Sequence, residues 1–136
     1  MTFVDSNVLI DILSHDPTWS DWSFRTLVRC SGSGPVLISE VIYAEISVYV
    51  GSEAELESII DDLEVTMVRI PKPALFSAGK AYLKYRRAGG IRTGVLPDFF
   101  IGAHAQVTGL PILTRDPRRY RAYFPDVELI APHARV

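Results

Sequence analysis

The chain has 136 residues, 48 % of them hydrophobic and 22 % charged, with a formal net charge of −2. That length and balance describe one soluble globular domain, residues 1–136, with a sizeable core. A lone cysteine, Cys30, excludes a disulfide within the chain, and no apolar run approaches the roughly 20 residues needed to span a bilayer.

No basic segment precedes an apolar one, and Asp5 and Asp11 interrupt the N-terminus, so no signal peptide is expected. Together with the single cysteine this points to a reducing, cytoplasmic setting and no membrane partner. Charge is unevenly spread along the chain. Residues 1–64 carry 12 of the 16 acids against Arg25 and Arg29, a balance of −10, whereas residues 65–136 carry 12 bases against 4 acids, a balance of +8. One reading is a positive surface facing an acidic site or a polyanion; the other is ordinary solvated helix faces.

In chain order, Phe3 and Val4 read as a buried strand, followed at once by an acidic turn and a helix through Val8, Leu9, Ile12 and Leu13. Residues 14–18 read as a loop and 19–30 as an amphipathic helix, with a turn of serine and glycine at 31–35. Val36–Ile38 reads as a second strand. Ser39 then suits the N-cap of a helix over about 40–50 that Gly51 ends, and Ser52 caps the next over 53–63. Val65–Ile70 is β-branched and apolar, a third strand stopped by Pro71 and Pro73. A helix over 74–87, a glycine-rich loop over 88–94 and a helix from about Asp98 to Thr108 follow. Ile112–Leu113 is a fourth strand, 115–124 a turn with a short helix, and Val127–Ile130 a fifth strand. Short apolar strands alternating with helices predict an α/β fold, a parallel sheet of about five strands covered on both faces.

Four acids fall at comparable points of this pattern. Asp5 ends the first strand, Glu45 lies in the helix after the second, Asp98 opens the helix before the fourth, and Asp116 follows that strand in ILTRD. In a parallel sheet the carboxyl ends of the strands form the ligand-binding edge. Four carboxylates gathered there would repel one another unless a cation offset them. An all-oxygen donor set suits a hard ion, Mg²⁺ or Mn²⁺, and such a centre serves phosphodiester hydrolysis. Each acid also has a plainer reading, as a helix cap for Asp5 or Asp98, a solvated helix residue for Glu45 and turn punctuation before Pro117 for Asp116.

The segments FVDSNVLIDIL, SEVIYAEI and LPDFFIGAHAQVTGLPILTRDPRRY, taken together, resemble the PIN-domain family and, more narrowly, the VapC-type ribonuclease toxins of toxin–antitoxin pairs. The resemblance implies a three-layer α/β/α PIN-like domain and metal-dependent endonucleolytic cleavage of RNA. It implies Asp5 and Asp98 as metal ligands, Glu45 and Asp116 as further catalytic acids, and Asn7 and Thr114 as supporting polar groups. It also implies a small VapB-like antitoxin as partner and a homodimer. Trp19 and Trp22 could serve such a surface or pack into the core.

Arg115, Arg118 and Arg119, beside Asp116, are candidates for phosphate contacts. Among the aromatic residues, Tyr82 and Tyr85 stand at helical spacing and read as core or interface rather than base-reading groups. His104 is on a different face of its helix from Asp98 and reads as a hydrogen-bonded helix residue; Gly102 shares the face of Asp98 and either lets a neighbouring backbone approach or is incidental. Two other functions fit the pattern less well. An aspartyl-nucleophile phosphohydrolase would place a second aspartate two residues after Asp5, where Asn7 stands. A non-catalytic PIN-fold module that binds nucleic acid or protein would have no need of all four acids.

Overall fold

The computed structural model describes residues 1–92 and 94–133. Five strands, β1 (Thr2–Val4), β2 (Val36–Ile38), β3 (Val65–Met67), β4 (Ile112–Leu113) and β5 (Leu129–Ile130), form one sheet in the order β3-β2-β1-β4-β5. Every pairing is parallel, with Phe3 opposite both Leu37 and Ile112. Val4, Val36, Ile38, Ile112 and Leu113 are fully buried, as expected of parallel strands covered on both faces.

Among the described residues seven helices connect and cover the strands, giving a three-layer α/β/α arrangement: α1 (Ser6–Leu13), α2 (Ser20–Ser33), α3 (Glu40–Ser47), α4 (Glu53–Asp62), α5 (Lys72–Arg87), α6 (Leu96–Thr108) and α7 (Arg118–Tyr123). Helix α1 packs on α2 and α3, and α6 on α3, α5 and α7. The strand order reverses beside β1: β2 and β3 extend to one side, β4 and β5 to the other. At such a switch point the chain leaves neighbouring strands in opposite directions and opens a crevice beyond their carboxyl ends. The turns after β1 and β4 line it.

The elements differ from the sequence reading mainly at their ends. Helix α2 runs through Ser31, Gly32 and Ser33, which read as a turn, and stops only at Gly34, whose φ of +153° is open to glycine. Packing of Leu27 and Cys30 into the core carries the helix past its weak formers. Helix α3 ends at Ser47 rather than near Val50. Strands β3 and β5 are shorter than read, at three and two residues. Ser52 caps α4, accepting from the Glu55 N–H at 3.1 Å. Ser39, the other expected cap, makes no cap bond; its buried hydroxyl has no partner.

Candidate acidic site

Asp5 stands at the N-cap position of α1 with extended backbone, yet its side chain makes no cap hydrogen bond. The cap reading therefore fails, and the carboxylate is aimed elsewhere. Its Oδ2 accepts from the Thr114 hydroxyl at 2.9 Å and from the Tyr120 hydroxyl at 2.8 Å. Longer contacts come from Asn7 Nδ2 and the Ser6 hydroxyl, each at 3.4 Å. All these donors are neutral. Burial, reinforced by the charge of Asp98, pushes the Asp5 carboxyl up to about 6 against the lowering pull of those hydroxyls. In turn, burial and the neighbouring acids hold the Tyr120 phenol well above its ordinary value.

Asn7 and Thr114, expected as supporting groups, both hydrogen-bond to Asp5. Asn7 Nδ2 donates to the Thr114 hydroxyl at 3.3 Å, and its Oδ1 accepts from the Arg115 N–H at 3.1 Å. One amide thus ties the turn after β1 to the turn after β4, across the switch point. Thr114 has one proton to give, and the short bond to the charged Asp5 takes it in preference to the Asp116 carbonyl at 3.3 Å.

Asp98 lies in the first turn of α6, where the positive end of the helix dipole favours a carboxylate. It does not act as a cap; its Oδ2 accepts from Arg119 Nη1 at 2.6 Å. Burial still raises its pKa, with Asp116 adding to the rise and Arg119 opposing it. Glu45, in α3, is pushed up to about 7, first by burial and then by the charges of Asp5 and Asp98, with the Ser6 hydroxyl opposing. Its Oε1 is buried without a hydrogen-bond partner. Asp5, Glu45 and Asp98 thus lie close enough to repel one another. Asp116 sits at the rim, half exposed, where the Arg118 guanidinium lowers its pKa.

Among the described residues no group of three or more His, Cys, Asp or Glu side chains is already arranged around one point to hold an ion. The donor set nonetheless fits a hard cation. Mg²⁺ commonly takes one or two carboxylates and keeps its waters, Glu45 offers an unpartnered buried oxygen, and Asp98 already draws a cationic group, Arg119.

The three arginines expected at phosphates are each paired with a carboxylate. Arg115 grips Asp11 with Nε at 2.7 Å and Nη2 at 2.9 Å, and its guanidinium lies over the Trp19 ring. Asp11, which also accepts from the Ser23 hydroxyl at 2.8 Å, is the partner that the sequence leaves unassigned. Arg118 reaches Asp116 at 3.2 Å from an exposed position, and Arg119 reaches Asp98.

Reading the sequence also misses Tyr120, because a tyrosine in a short helix is uninformative until the fold brings it to Asp5. His104 is buried, packed on Phe3 with ring centroids 4.4 Å apart; its Nδ1 has no partner, and burial lowers its pKa. The expectation of a hydrogen-bonded His104 is not met at Nδ1; the ring is held by packing on Phe3. Gly102 admits a side chain, not a backbone: a Cβ there would lie 2.3 Å from the Phe124 ring. Tyr82 and Tyr85 pack on Phe99, in keeping with the core reading. Trp19 and Trp22 are half-buried in edge contact, with Trp22 packed on the core.

The PIN domain family profile matches residues 2–125, nearly the whole chain. The chain belongs to the PIN domain family. Solved structures similar to this PIN domain include VapBC2 from Rickettsia felis bound to a DNA fragment from its promoter, at TM-score 0.73 and 15 % identity, covering 97 % of this chain and 98 % of that one. A toxin–antitoxin complex from Klebsiella pneumoniae matches at TM-score 0.69 and 20 % identity, covering 98 % of both chains. DNA-bound VapBC from Salmonella typhimurium matches at TM-score 0.69 and 18 % identity, covering 96 % of both. At these identities the likeness is one of fold. No curated protein sequence matches the chain.

Proposed function

We propose that this PIN domain is a metal-dependent endoribonuclease that hydrolyses RNA phosphodiester bonds, and that it is the toxin of a toxin–antitoxin pair. The observation that carries the catalytic part is the Glu45 oxygen, buried and unpartnered, close to Asp5 and Asp98; the Asp5 carboxyl is pushed up to about 6, that of Glu45 to about 7, and that of Asp98 above its ordinary value. Such a set is repulsive at neutral pH and is relieved by a divalent cation. Asp5 and Asp98 would hold Mg²⁺, or Mn²⁺ in its place, with Glu45 and Asp116 completing the acidic wall. When bound, the ion supplies an acidified water and neutralises charge on the attacked phosphate.

The remaining steps belong to the chain. The hydroxyls of Thr114 and Tyr120 orient Asp5. Glu45 Oε1, buried and without a hydrogen-bond partner, is free to accept the proton of the attacking water. Arg119 offsets the charge of Asp98 and lies where it can meet the phosphate when that carboxylate is engaged. The partner reading follows the similar structures, whose names describe VapBC and toxin–antitoxin complexes: a VapB-like antitoxin, with the toxin as a homodimer. No helix among the described residues is long and apolar enough to cross a membrane, and a cytoplasmic setting is consistent with this partner.

The test is RNA cleavage by the purified protein with Mg²⁺ or Mn²⁺. Cleavage is expected to stop in excess chelator and in Asp5→Asn. Cleavage that survives either overturns the mechanism, and RNA retention with no cleavage under any metal would favour a non-catalytic binding module.

A further inference from the structure

A cavity of about 540 Å³ opens beside the acids, between the C-terminal end of α5, the turn after it and α7. It shares Asp116 and Arg119 with the acidic site, so the two are continuous. One wall is aromatic. Tyr85 and Tyr123 meet at 6.0 Å with rings 77° apart, both backed by Phe99. The rim is pinned to that wall: the Gly90 backbone lies on the Tyr85 ring, where a Cβ would come within 2.4 Å, and the Arg92 N–H donates to the Tyr85 hydroxyl at 3.2 Å. At the rim Ile91 is 91 % exposed, a large apolar side chain standing in water between arginines. Arg118 also borders the cavity, and its ion pair with Asp116 is too exposed to cost much when broken.

An apolar and aromatic wall with cationic groups along one rim, opening onto a phosphodiester-cleaving centre, is the chemistry of an unpaired nucleotide: a flat apolar base and an anionic phosphate. The volume lies in the range of small-ligand sites. Bases of a duplex are stacked inward and cannot enter such a concavity. We propose that this cavity seats one unpaired nucleotide of single-stranded RNA next to the bond that the acids address. Its base lies against Ile91 and Tyr123, because the Gly90 backbone and the Arg119 guanidinium already cover the Tyr85 ring, and its phosphate on Arg92 and Arg118. This subsite rests on the nuclease reading above.

The test measures binding of a short, fluorescently labelled single-stranded RNA by anisotropy in chelator, where cleavage is silent. Ile91→Ala and Arg92→Ala lie at exposed positions, and thermal unfolding checks that both variants fold like the parent. Each is expected to weaken binding about five- to tenfold. Arg92→Ala is expected to flatten the dependence of log affinity on log salt by about 0.7, the share of one phosphate contact on a single strand, while Ile91→Ala leaves the slope alone. A duplex of the same sequence is expected to bind at least about tenfold more weakly. Parental affinity in both variants, or equal affinity for the duplex, overturns the subsite. If the parent cleaves RNA yet both variants bind like it, the subsite fails and the nuclease reading stands. If the parent binds through these residues but never cleaves, the nuclease reading fails and the subsite stands.

Discussion

Asp5 and Asp11 are both buried, six residues apart on the same short segment, and have opposite surroundings. Asp11 is gripped by both arms of the Arg115 guanidinium and by the Ser23 hydroxyl. Asp5 receives hydroxyl and amide donors, has another acid as its electrostatic neighbour, and titrates near 6. Asp11 is neutralised within the fold by Arg115, away from the other acids, and acts as a structural tie. Asp5 has only neutral donors and is left with a charge to be met from outside. The comparison separates a residue that joins α1 and α2 to the turn after β4 from one that belongs to a site.

The largest expected contrast is in rate. Asp5→Asn should lower RNA cleavage by on the order of 10²–10³-fold, while leaving the metal-free protein at least as stable as the parent above pH 7, as thermal denaturation would show. Asp11→Ala should do the reverse. It leaves Arg115 without its partner in a half-buried position, costing about 2–4 kcal/mol in urea unfolding, with cleavage per folded molecule little changed.

The pH dependence sharpens the same contrast. Asp5 has a folded pKa of about 6, above the unfolded value near 3.8, and Glu45 about 7 against 4.5. The folded state therefore binds more protons than the unfolded state between about pH 4 and 7, so metal-free stability should fall as pH rises through that window. Asp5 alone accounts for about 3 kcal/mol. Denaturant midpoints at pH 5 and pH 8 in chelator would measure the fall, and Mg²⁺ or Mn²⁺ should recover much of it at the higher pH. A flat profile would mean that the acids are not held charged against one another.

Smaller effects follow. Tyr120→Phe removes a charge-assisted donor from Asp5 and should cost about 1.5–3 kcal/mol of stability at pH 7 and less at pH 5, where Asp5 is protonated. Arg118→Ala, at an exposed pair, should leave the urea unfolding midpoint close to the parent's.

Much of the fold was legible because it is local. Alternating apolar runs and helical periodicity marked all five strands and most helices, and the strand-ending positions of Asp5 and Asp116 followed from that pattern. Element ends were less legible. The Ser31–Ser33 segment has the composition of a turn, but core packing of Leu27 and Cys30 holds it in α2. In the site the residue types were readable and the pairings were not. The three arginines next to Asp116 looked alike, yet the fold sends Arg115 to Asp11, Arg118 to Asp116 and Arg119 to Asp98.

The sequence by itself determined that short buried strands would alternate with helices and that acids would follow them at the places where a parallel sheet binds ligands. Periodicity and the placement of polar residues at strand ends are properties of neighbouring positions, and a chain carries them before it folds. Only the tertiary structure decided which buried aspartate receives a cation. Thr114 and Tyr120 reach Asp5 from 109 and 115 residues away, and Arg115 reaches Asp11 from 104. Those contacts arise where β1 and β4 pair at the centre of the sheet and bring their following turns together.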